Sequence, residues 1–191
     1  MILLKKYFYI QIFLVVLLLM MSFNIQSQVK AKDGKEFPVP KDIKNQLFYV
    51  QRTNNINTLI YQLNYTENGE LNEKEPIKIF WKNYDKDGST ESLNIIQKKY
   101  AYGIEVHELD SIKKTFYFTF VSYKKKQIFL IKSPVTHKYE AFVNLNNKLI
   151  MIDRIYIHIE GGAFWTPKIK YLDVFGKLPN KNEEIVERII P

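Results

Sequence analysis

From Leu47 onward the chain is written in short apolar runs, and within them like residues recur at every second position. In "IKIFWKNY", Ile77, Ile79 and Trp81 alternate with Lys78, Phe80 and Lys82, and "TFYFTFVS" sets Phe116, Phe118 and Phe120 on one side. Side chains two apart share a face in an extended strand and not in a helix, so this period demands sheet. "LFYVQR", "TLIYQLNY", "KQIFLIK", "KYEAFVNL", "KLIMIDRIYIHIE", "KIKYLDVFG" and "EIVERII" obey the same rule, with polar turns between them. The expected fold is mainly β, an antiparallel sandwich or barrel of roughly 8–10 strands. Trp81 and the Phe116/Phe118/Phe120 row are expected in its core. Asn146-Asn147 joins two runs as a tight hairpin, because Asn tolerates positive φ.

One segment departs from the period. "STESLNIIQKKYAYG" offers Ser89 or Thr90 as an N-cap, places Leu93, Ile96 and Tyr100 at helical spacing, and reaches Gly103 as a stop. This predicts one helix over residues 90–101, with an apolar stripe that plugs an open end or covers a sheet edge. Asp85, Asp87 and Glu91 just before it lack the ligand spacing of a calcium loop, and Asp87-Gly88 reads as a turn.

The first residues have the layout of a secretory signal. Lys5 and Lys6 precede the unbroken apolar run Ile12 to Met21, and Ile25-Gln26-Ser27 is a cleavage site with a small last residue. The competing reading is an uncleaved anchor over residues 7–23, short for about 30 Å of hydrocarbon and carrying Gln11. The expected organisation is a signal or anchor over 1–27, a linker over 28–36 and one β domain over 37–191, periplasmic or secreted, or else held at the membrane. Loss of 1–27 removes two lysines and no acid, so the formal charge falls from +8 to +6. With no cysteine there is neither a disulfide framework nor a site for acylation on Cys. The densest basic cluster, Lys124-Lys125-Lys126 with Lys113 and Lys114, reads as a solvated turn. Nucleic-acid binding would want a stripe with stacking aromatics, and none is expected as a partner.

The candidates for chemistry gather in "RIYIHIEGGAFWTP". Arg154, Tyr156, His158 and Glu160 alternate with isoleucines, as the wet side of an ordinary strand would. The functional reading of the same row takes His158 or Glu160 as general acid or base, with Arg154 holding an anion and Gly161-Gly162 admitting a close approach. Trp165 is either a packed corner or an exposed platform for a sugar or peptide. His107, His137 and His158 fall on separate runs, so a metal site with Glu108, Glu160 or Asp153 would need assembly in three dimensions, and no metal or cofactor is expected. No G-x-S-x-G elbow, phosphate loop, G-x-G-x-x-G or H-E-x-x-H is present.

Taken together, "FPVP", "LFYVQR", "QKKYAYG", "FVSYKK" and "IEGGAFW" resemble the recognition pieces of an exported bacterial family described as a domain of unknown function (DUF 4833). The resemblance runs from Phe37 to Pro191. It implies that Phe37 to Pro40 belong to the domain, and it brings no activity, substrate or catalytic residue with it. Three functional classes follow in order: a non-catalytic binding or structural module of the cell envelope with an unidentified protein or envelope ligand as partner; an envelope-directed hydrolase using the Arg154/His158/Glu160 face; and a small lipid-carrying barrel, hollow behind the phenylalanine row.

Overall fold

The computed structural model describes residues 28–30, 36–133, 136–163, 166–179, 181 and 183–191. The expected signal segment, Phe164 and Trp165 lie outside these. Among the described residues are β1 (Gln28–Lys30), β2 (Glu36–Pro38), β3 (Gln46–Arg52), β4 (Asn55–Leu63), β5 (Ile77–Lys82), β6 (Thr90–Ser92), α1 (Ile95–Tyr100), β7 (Ile104–Asp110), β8 (Thr115–Phe120), β9 (Tyr123–Lys132), β10 (Tyr139–Leu145), β11 (Lys148–Ala163), β12 (Thr166–Lys177) and β13 (Glu184–Ile189). β1 and β2 pair with each other. The other strands form one curled sheet, a half-barrel, in the order β6-β5-β4-β3-β11-β10-β9-β8-β7, with β12 and β13 branching from β11.

The molecule is mainly β, as the period demands, yet the sheet is mixed rather than antiparallel. β11 takes β10 in a hairpin along its first residues, then β3 in parallel from Arg154↔Tyr49 to Ile157↔Arg52. Alternation identifies a strand and one buried face; it carries no information on the direction of a distant partner. Asn146 and Asn147, at φ 48° and 61°, make the two-residue turn between β10 and β11.

The concave face holds the main core. Phe48 stacks on Tyr61 with centroids 4.5 Å apart and on Phe118 at 6.2 Å, and Phe120 meets Phe48 and Tyr61 edge-on. Trp81, Phe116 and Phe118 are buried there as expected. This interior is filled by the aromatic row that a lipid-carrying barrel would have kept for its ligand.

The helix is shorter than expected and does other work. Gly88 at φ 75° and a Ser89 N–H bond to Asp87 Oδ1 (2.9 Å) return the chain beside β5, so Thr90–Ser92 continue as strand β6. The N-cap is Asn94, whose Oδ1 accepts from Gln97 N (2.8 Å) while Gln97 Oε1 accepts from Asn94 N (3.1 Å), a reciprocal capping box. α1 buries none of its own residues, and Ile95 is 84% exposed. The flanking Leu93 and Tyr102 pack on the main core, and within the helix Gln97 accepts from Trp81 Nε1 (3.3 Å), so a polar contact stands where an apolar stripe was expected.

Candidate functional site

β11 carries the row in question, and one residue decides which way it faces. Ile150 and Ile152 point into the main core, and so do Ile155 and Ile157, although the first pair is even and the second odd. The parity changes because Ile152 stands opposite Gly176 and Arg154 opposite Phe175, leaving Asp153 as an extra residue in a β-bulge. The strands close tightly there: a Cβ on Gly176 would fall 2.4 Å from Met151 O. The bulge sends Arg154, Tyr156 and His158 to the convex face together.

That face is not simply wet. Arg154 and Tyr156 are buried, His158 is half-buried and Glu160 is exposed. Phe37 of β2 lies on Tyr156 with centroids 5.5 Å apart, Gln51 Nε2 donates to Pro38 O (2.9 Å), and Tyr156, Tyr171, Phe175 and Phe37 make a second small core with Val186 at its margin. The Arg154 guanidinium sits 3.3 Å from the Phe175 centroid, with Glu184 at 3.7 Å. Burial pulls its pKa below the usual arginine value and pushes the neighbouring Tyr49 phenol well above its ordinary range, Asp153 adding to the second shift. Asp173, fully buried, accepts from Arg188 Nε and Nη2 at 2.7 Å each, and Arg188 lies over Tyr171 at 3.5 Å. Charges here are consumed by rings and by one another.

The far end of the row brings His158 near a hydroxyl. Thr53 Oγ1 lies 3.5 Å from His158 Nδ1 and 3.2 Å from the Tyr156 hydroxyl, beside an open recess of about 260 Å³ lined by Glu36, Phe37 and Asn54 to Ile56. The hydroxyl has a mechanical task. It accepts from Ile159 N (3.0 Å) and donates to Ile157 O (3.3 Å), while Thr53 N donates to Ile157 O (3.1 Å), so Thr53 clamps β11 where the parallel ladder ends. His158 stacks flat on Tyr171 at 4.6 Å. Glu160 turns away to Lys170 (3.1 Å); that hydrogen bond and charge hold its carboxyl below the usual range, opposite to what a general acid needs. Gly162, at φ 86°, does admit a close approach, and the approaching group is the backbone of β12: a Cβ would meet Thr166 O at 2.5 Å. Trp165 lies outside the described residues. His107 stacks on Tyr117, His137 occupies a turn at φ 56°, and among the described residues no three His, Asp or Glu gather as a metal-ligand group.

A second place lies at the lysine run, expected as a solvated turn; Lys124, Lys125 and Lys126 instead belong to strand β9. Phe118 pairs with Ile128 and Phe120 with Tyr123, so Lys124, Lys125, Lys126 and Gln127 stand opposite Thr119 alone and bulge out of β9. The register of β9 with β10 likewise stops at Ile128↔Val143. Between this bulge, the Asn146-Asn147 turn and β13 runs an open groove of about 720 Å³, lined by the three lysines, Gln127, Phe129, Asn144, Asn146, Asn147, Glu187 and Arg188. Glu187 ties its walls together, accepting from Asn146 N (2.6 Å) and pairing with Lys126 (3.0 Å). Lys124 pairs with Glu105 (2.6 Å), whereas Lys125 has no ion-pair partner among the described residues. A lysine triplet facing an asparagine hairpin was the available signal; that the two meet depends on pairing the sequence does not state.

The chain belongs to the family described as Domain of unknown function (DUF4833), whose model matches residues 48–188, from β3 through most of β13. No curated protein and no solved structure matches it.

Proposed function

We propose that this is an exported, non-catalytic binding module of the cell envelope, and that its ligand is an acidic polymer of that envelope lying in the groove beside the lysine bulge. The groove itself carries the reading. Among its lining cations Lys124, Lys126 and Arg188 are tied to Glu105, Glu187 and Asp173, which leaves Lys125 with no ion-pair partner among the described residues, and three asparagine amides supply donors and acceptors beside it. An open polar trough fits a chain that lies along it better than a small substrate, for which pockets are concave and mostly apolar. By contrast, the row that would serve a hydrolase has its arginine stacked, its carboxylate depressed by Lys170 and its nearest hydroxyl engaged by backbone.

The test is retention on dextran sulfate against neutral dextran, as a function of salt. The wild-type chain is expected to bind the sulfated polymer alone, more weakly as salt rises. Lys125→Glu is expected to weaken that binding at least tenfold while the melting temperature stays unchanged. Equal binding to both polymers, or binding indifferent to Lys125→Glu, defeats the proposal.

A further inference from the structure

The chain has three arginines, and two of them have a carboxylate: Arg154 has Glu184 and Arg188 has Asp173. The third does not. Arg52 ends β3, opposite Ile157 in the parallel ladder, and so stands on the concave side where Ile157 packs on the main core. Its guanidinium lies 4.8 Å from the Trp81 ring and 5.4 Å from that of Tyr102, and Nη1 donates to the Tyr102 hydroxyl oxygen. Nε is buried with no acceptor, and Arg52 has no ion-pair partner among the described residues. Glu91, opposite Trp81 on β6, is taken up instead by Asn83 (3.2 Å) and Lys86 (4.0 Å).

Rings engage the flat face of a guanidinium, while an oxyanion engages its edge, so an aromatic box orients the cation without neutralising it. A half-buried cation left without a counter-charge is costly, and an arriving anion relieves that cost. The Tyr102 hydroxyl adds a donor. Its oxygen already accepts from Arg52, which leaves its own proton for a ligand, and burial raises the phenol's pKa so that the proton stays in place.

We infer that Arg52, boxed by Trp81 and Tyr102, is a receptor for one oxyanion, a carboxylate or phosphate group of a ligand reaching this end of the half-barrel. This site is separate from the lysine groove and does not rest on it. The test is a titration of the protein with inorganic phosphate, and separately with acetate, at constant ionic strength maintained with chloride. It is read on the arginine Nε–H resonances, of which a chain with three arginines gives three. The Arg52 resonance is expected to shift saturably with at least one of the two anions, and which one assigns the chemistry. Arg52→Lys keeps the charge but loses the bidentate fork, and is expected to weaken the response, followed in both proteins on the Trp81 indole N–H beside the guanidinium, at least tenfold. Should that variant fail to fold, the wild-type resonance alone decides. A shift that grows without saturation as it does with chloride, or one preserved in Arg52→Lys, overturns the inference.

Discussion

The convex face of β11 and the groove beside β9 are built from the same kinds of side chain and differ in what those side chains have left to give. On the convex face, Arg154, Tyr156 and Asp173 are buried, and the two charged members are met by Glu184, Phe175 and Arg188. In the groove the lysines stand in a bulge outside both neighbouring ladders, and Lys125, unlike Lys124 and Lys126, has no ion-pair partner among the described residues. Polarity in a sequence therefore says little about availability. A charged residue becomes a ligand contact or a structural tie according to whether the fold supplies its partner internally.

The comparison breaks most visibly at Tyr156. If the convex row is a second core, Tyr156→Ala costs about 3 kcal/mol, within the usual span for emptying a buried aromatic site, and leaves dextran sulfate binding intact below the lowered melting transition. Chemical denaturation measures it; lost binding at unchanged stability would mean the row carries the ligand after all. Arg188 belongs to both regions, so it sharpens the contrast. Arg188→Ala strands the Asp173 charge in the interior and is expected to cost about 2 kcal/mol, less than a fully buried pair because the Arg188 side chain is itself 37% exposed. The same change should also weaken polymer binding, and an effect on one readout alone would cut the link between the regions. The smallest effect is expected at Glu160→Ala, which should alter neither melting nor binding near neutral pH beyond a slight loss of stability. The Glu160 carboxyl titrates lower in the folded state than in the unfolded one. Its contribution is thus present above the ordinary carboxylate range and disappears as pH falls through the depressed folded value, so wild type and variant should converge in acid.

Strands were legible because burial on one face writes itself as alternation, and the hairpin at Asn146-Asn147 because its backbone needs residues that accept positive φ. The capping box was also in plain view as Asn94 and Gln97, but Ser89 and Thr90 offered an earlier start that only the Asp87-Gly88 turn disqualifies. The bulge at Asp153 leaves a trace too, in the shift of core isoleucines from even to odd positions. Burial of Arg154 and Tyr156 leaves none. It depends on Phe37, Phe175 and Val186, whose arrival over β11 is decided by the packing of distant segments rather than by any local pattern.

The parallel ladder also orders events in time. Thr53 and Ile157, which close it, are 104 residues apart, whereas β3, β4 and β5 are joined by pairings close in sequence. The early meander can thus assemble as soon as it is synthesised, but its β3 edge has no partner until residues 154–157 exist. Contacts of such long reach slow folding, and an open strand edge invites the wrong neighbour while it waits. A chain halted before β11 would leave the β3 edge unpaired, so the native sheet can close only once the last quarter of the sequence is present.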